Sequence, residues 1–277
     1  IQDTQGMASS LNNMGLAYRA MGQLDSSLAI HIHCLILDEL RKDKSGIAYS
    51  LGNIANVYRL KGDFTKCLDF QLRSLKILEE LKDENALGLC MANIASLYRE
   101  LGNLHSSMEF YQQAIKMMEK TGNQNGLGNI LNNLANLLDD MKEYDQALEY
   151  QERAIRIRKE LRDKHGLAMS YVSLASLYRK TEKREQSMEY YLRAVTLMEE
   201  TGDKNGKGIT LVQIGNYHLE SENLNQAIIY LLKGLEILKV VGNKVQIKES
   251  YHSLALCSDL LKKYKNAYEY HQLFSQI

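Results

Sequence analysis

Apolar residues recur along this chain with a helical period inside each segment and a longer period from segment to segment. Leu51, Ile54, Ala55 and Tyr58 fall at i, i+3, i+4 and i+7, which places them on one face of an α-helix. The next segment carries Cys67, Leu68, Phe70, Leu75 and Leu78 in the same way. Short polar stretches such as Lys61-Gly62-Asp63 and Leu101-Gly102-Asn103 separate the segments. Gly62 and Gly102 can take the left-handed conformation that ends a helix without a Cβ clash. Asp43, Asp83, Asn123, Asp163, Asp203 and Asn243 stand just before the following apolar runs and are the expected N-caps. The pattern predicts antiparallel helix pairs, with helices of about 15 and 17 residues.

The pair recurs every 40 residues. One apolar position reads Met14, Ile54, Ile94, Leu134, Leu174, Ile214 and Leu254, and the next is always tiny: Gly15, Ala55, Ala95, Ala135, Ala175, Gly215 and Ala255. A second small series follows twelve residues later as Ser27, Cys67, Ser107, Ala147, Ser187, Ala227 and Ala267. Tiny residues let neighbouring helices approach closely, and one hairpin cannot bury its apolar face alone. The expectation is an all-α, right-handed superhelical solenoid with a concave inner surface. It would be one domain over 1–277, with units at about 4–43, 44–83, 84–123, 124–163, 164–203, 204–243 and 244–277, the last shortened from Lys265 to Ile277.

The residues Ile54, Ala55 and Tyr58, with Cys67 and Ser74 in the second helix, resemble the tetratricopeptide repeat in its longer, 40-residue variety. That variety occurs in kinesin-light-chain and Partner-of-Inscuteable-type scaffolds, in response-regulator-binding proteins of bacilli, and in Bacteroidetes sensor regions. The resemblance covers essentially the whole chain. It implies protein or peptide binding in a concave groove lined by the non-core side of each first helix.

On that side, opposite core positions 11, 14, 15 and 18 of each unit, lie two amide ladders: Asn13, Asn53, Asn93 and Asn133, and Asn56, Asn136 and Asn216. A carboxamide both donates and accepts, so it can grip the main chain of an extended peptide whatever its sequence. It can equally tie neighbouring helices together. Along the flank run Arg19, Arg59, Arg99 and Arg179, interrupted by Asp139. Guanidinium forks suit acidic side chains or a terminal carboxylate, and arginine also sits well at the C-terminal end of a solvated helix. Met169, Val172, Ile209 and Val212 form a candidate apolar patch, either a specificity pocket or the place where an eighth helix or a partner domain packs.

Composition narrows the function. Thirty-four basic residues balance thirty-four acidic ones, against a nucleic-acid binder held by phosphate neutralisation. No proline interrupts the chain, which suits long helices. No run of apolar residues is long enough to span a membrane, so no direct membrane contact is expected. The cysteines Cys34, Cys67, Cys90 and Cys257 form no C-x-x-C pair, and no metal, cofactor or catalytic constellation stands out. His31, with Cys34 three residues on, takes a place filled by Tyr111 and Tyr191 in other units and reads as a packing residue. The expectation is a non-catalytic protein- or peptide-binding scaffold, the sensory or interaction module of a larger signalling protein. A self-assembling or homodimeric relay to a C-terminal effector domain is the alternative. The start at Ile1-Gln2-Asp3 suggests a fragment or processed product, and leaves the compartment open between cytoplasm and, for a bacterial sensor without its signal peptide, periplasm.

Overall fold

The computed structural model describes residues 4–277, and these form fourteen α-helices with no strand among them. In chain order they are α1 (Thr4–Ala20), α2 (Leu24–Leu40), α3 (Lys44–Leu60), α4 (Phe64–Leu81), α5 (Glu84–Glu100), α6 (Leu104–Thr121) and α7 (Gln124–Asp140). There follow α8 (Tyr144–Glu160), α9 (Lys164–Lys180), α10 (Arg184–Thr201), α11 (Lys204–Glu220), α12 (Leu224–Val241), α13 (Lys244–Leu260) and α14 (Tyr264–Gln276). Two compact units divide the chain, Ile1–Met141 and Lys142–Ile277. Within each, consecutive helices pack against one another.

The predicted caps hold. Asp43, Asp83, Asn123, Asp163, Asp203 and Asn243 each accept a hydrogen bond from the backbone N–H three residues on. This satisfies one otherwise orphaned donor per helix start, a contribution of about 1 kcal/mol each. Gly62 and Gly102 have φ of 76° and 77°. The N–H groups of Asp63 and Asn103 reach back to the carbonyls of Tyr58 and Tyr98, closing the helix ends in the Schellman manner. Because cap and stop sit directly against the helical residues, the first helices run 17 residues rather than the expected 15.

The small series has a specific use. The Oγ atoms of Ser27, Ser107 and Ser187 donate 2.8 Å hydrogen bonds to the carbonyls of Gly15, Ala95 and Ala175. The tiny residue thus brings the first helix's backbone within reach of the second helix. A Cβ on Gly15 would lie 2.7 Å from the ring of His31, and one on Gly215 would lie 2.6 Å from Leu231. Both glycines are therefore matched to an opposing side chain with no room to spare. His31 is fully buried, and neither ring nitrogen has a hydrogen-bond partner. Burial, reinforced by the charge on Arg19, holds its pKa down to about 4, so at neutral pH it is an uncharged packing residue.

The core is wider than the predicted stripe. Val57, Leu97, Leu137 and Leu177, one residue before the tyrosine position, are almost completely buried. Tyr58 and Tyr98 are instead half-buried and stack on Phe70 and Phe110 at 5.5 and 5.6 Å. A first helix packed between two second helices has apolar neighbours on two sides, which a single-stripe reading does not anticipate. The four cysteines are free and buried, and burial raises the pKa of each thiol.

Candidate functional site

The face of the first helices away from this core carries the candidate residues. In the Ile1–Met141 unit, α3, α4 and α5 enclose a cleft of about 210 Å3. Three predicted asparagines, Asn53, Asn56 and Asn93, meet there. Tyr49 and Leu89 stand at its edges, both exposed, Tyr49 at 68%. Its depth is set by Gly52 and by the buried polar groups Gln71 and Ser74. A second cleft of about 190 Å3 shares Tyr49 and is lined by Asn12, Asp38, Arg41 and Ser50. In it Ser50 donates to the buried Asp38 at 2.9 Å.

The asparagines divide by what they already do. Asn53 is buried, and its Nδ2 donates to Oδ1 of Asn12 at 2.8 Å, so it ties α3 to α1. Asn56 and Asn93 make no hydrogen bond among the described residues; Asn93 is exposed and Asn56 half-buried. Asn13 is exposed, and Asn133 and Asn136 are half-buried on α7. In the Lys142–Ile277 unit, Asn216 reaches Glu249 at 3.4 Å through its Nδ2, while its buried Oδ1 has no partner.

The arginine flank is largely occupied by the protein's own carboxylates. Arg59 pairs with Glu100 at 2.9 Å, Arg99 with Asp140 at 2.5 Å, and Arg179 with Glu220 at 3.6 Å. Burial works against the charge on Arg99, but the hydrogen bond and attraction of Asp140 outweigh it and raise its pKa. These pairs, like Asn12 with Asn53, follow the register i to i+41. That register sets neighbouring first helices side by side one residue out of step with the 40-residue period. Reading the ladders at exact 40-residue spacing missed Glu100, Asp140 and Glu220 for this reason. Arg19 faces Leu60 in that register, so no carboxylate is set against it.

The expected apolar patch does not exist as a surface. Val212 is fully buried in the core with Leu231 and Leu235, and Ile209 packs against that cluster. Val172 is likewise partly buried against Tyr171 and Leu174. Of the four, Met169 alone is exposed. Gly208 and Gly234 draw α12 onto Val212. Among the described residues no group of three or more His, Cys, Asp or Glu could hold a metal ion, and no helix is long and apolar enough to cross a membrane.

A tetratricopeptide-repeat family model matches residues 45–120 and 126–200, together more than half of the chain, and a second such model matches 7–37. The chain belongs to the tetratricopeptide-repeat family. No curated protein matches it by sequence. Among solved structures it is similar to BtubC from P. vanneervenii, with 20% identity, a TM-score of 0.64, and 81% of this chain and 91% of that one covered. It is also similar to the Rap conjugation gene regulator of the plasmid pLS20 in complex with the Phr* peptide (13% identity, TM-score 0.70, 95% and 73% covered). A signal transduction ATPase with a tetratricopeptide repeat sensor, from Pyrococcus horikoshii, matches at 14% identity and a TM-score of 0.73, covering 97% of this chain and 42% of that one. At such identities these likenesses speak for the tetratricopeptide fold. That fold fits a protein-interaction scaffold.

Proposed function

We propose that this tetratricopeptide-repeat chain is a non-catalytic scaffold that binds an extended peptide or protein segment, as the interaction or sensory module of a signalling protein. The observation that carries the reading is the cleft where the unengaged amides of Asn56 and Asn93 lie between exposed Tyr49 and Leu89. Two free carboxamides offer donors and acceptors to a peptide main chain, and the flanking tyrosine and leucine give side chains an apolar seat. Asn136 and, through its unpaired oxygen, Asn216 would serve the same role, with Asn13 and Asn133 as lesser contacts; Asn53 positions the cleft. Arg19 is the arginine left for a ligand's acidic group, whereas Arg59, Arg99 and Arg179 would have to exchange Glu100, Asp140 and Glu220 for it. The Rap regulator's peptide complex and the ATPase's repeat sensor lend this reading support.

The test uses peptides selected by display on the purified chain, with affinity read by fluorescence anisotropy. At about 1 kcal/mol per lost hydrogen bond, Asn56→Ala with Asn93→Ala should weaken binding roughly thirty-fold. An unchanged Kd in the double variant removes the groove assignment. A second reading, self-assembly, is favoured by α14, which buries no residue and exposes Tyr264 and Tyr268. Sedimentation equilibrium decides it: a monomer at high concentration rejects self-association.

A further inference from the structure

In a repeat this regular, a position where one unit departs from the rest is informative. Position 7 of the unit is Met7, Ile47, Leu87, Leu127, Leu167 and Ile247, but in the sixth unit it is Lys207. A second difference, from three of the other units, lies nearby. Lys44 pairs with Glu80 at 2.8 Å, Lys164 with Glu200 at 2.9 Å, and Glu84 with Lys120. Each of these pairs joins the start of a first helix to the end of the following second helix, in the register i to i+36. In the sixth unit the residue in that register from Lys204 is Val240, which is 78% exposed.

Both departures open onto one place, a cleft of about 560 Å3 lined by α10, α11 and α12. Val195, Leu211, Ile237 and Val240 form its apolar walls. Lys207 does not fill it as leucine would, because its Nζ turns to Glu199 at 2.5 Å. Of the charged residues around it, Lys204, Lys207 and Lys233 stand against Glu199 and Glu236. With Lys207 and Glu199 paired, one cation is in surplus, and Lys204 lacks the carboxylate that Lys44 and Lys164 have in the same register. Just beyond Val240 in the chain stand two more exposed valines, Val241 and Val245, the latter 74% exposed. At 100° per residue, Lys204, Lys207 and Leu211 lie on the side of α11 opposite Ile209 and Asn216, so this cleft is separate from the asparagine face.

We propose that the cleft is a second docking site, which takes a partner-protein segment presenting aliphatic side chains beside a carboxylate. The walls hold the aliphatic groups, Lys204 holds the carboxylate, and the exposed valines beyond the cleft give the segment further apolar contact. An exposed apolar strip rimmed by charged residues is the kind of surface that marks a protein-interaction site. The strip's extension beyond the cavity favours a polypeptide over a lone acyl chain.

The probe is a fluorescein-labelled, capped peptide with one glutamate between two leucine pairs, titrated with the full chain. Lys207→Leu restores the residue type of the other units and fills the cleft. Val240→Glu restores the partner of Lys204 and keeps the proposal testable if the first variant folds poorly. Each should weaken binding at least about ten-fold. A control peptide with glutamine for glutamate should bind several-fold more weakly. The proposal is overturned if both variants bind like the parent chain, if the glutamine peptide binds equally well, or if binding does not saturate by about 1 mM. Dodecanoate that binds more tightly than the peptide also overturns it, in favour of a lipid.

Discussion

Acidification should destabilise this protein through His31 in particular. In the unfolded chain the imidazole has its ordinary pKa of 6.5, while in the fold burial and then Arg19 hold it at about 4. Between those values the unfolded state binds more protons than the native one, so stability is complete above pH 6.5 and is lost as pH falls toward 4. A gap of that size costs about 3 kcal/mol once fully expressed, and about 2 kcal/mol between pH 7 and pH 5. The chain supplies its own control. Leu231 sits over Gly215 as His31 sits over Gly15, so His31→Leu places a tested shape in the same slot. The variant should gain about 1–3 kcal/mol at neutral pH by removing two unpartnered ring nitrogens. It should also lose the part of the pH 7 to pH 5 decline that His31 causes. Urea denaturation of both proteins at both pH values measures that difference, and carboxylates and the other histidines cancel in it. The imidazole proton resonances of the folded protein read the pKa directly. A His31 titrating near 6.5 in the native state, or an undiminished pH 5 loss in His31→Leu, would refute the reasoning.

Two further expectations concern turns and ion pairs. Lys82 has φ of 56° where other units place glycine, as at Gly122 and Gly202. Lys82→Gly should therefore stabilise the protein by about 0.5–1 kcal/mol, the left-handed strain relieved less the glycine entropy, seen as a higher denaturation midpoint. A double-mutant cycle on Arg99→Ala and Asp140→Ala should return a coupling of about 1 kcal/mol or less, since both side chains are over a third exposed. A coupling above about 3 kcal/mol would mean that the flank is a buried network.

The helices, their caps and the small residues at the contacts were legible because each depends on a short stretch of chain. An Asp or Asn before a helix reaches a backbone N–H three residues on whatever surrounds it, and a glycine at a helix end needs no distant partner. The asparagine ladders were legible as residues and not as roles. Asn53 and Asn56 sit three apart on one helix, yet Asn53 is spent on Asn12 while Asn56 is unengaged. The apolar quartet failed for a related reason. Val212 and Met169 share an apolar character, but Gly208 and Gly234 bring a helix onto the first, and Met169 stays exposed.

The sequence by itself determined the period of 40 residues, the hairpin as the repeating unit, and the sites where helices must approach closely. Those properties are written in local propensity and in spacing, which a one-dimensional string records. The tertiary structure decided the register between neighbouring hairpins. It paired Arg59 with Glu100 and Arg99 with Asp140 one residue out of step with the period, set which amides were left unengaged, and opened the cleft at Lys207 and Val240. Side-by-side packing depends on how the helices seat against one another in three dimensions. A residue's partner there is fixed by that seating, and the repeat spacing alone does not contain it.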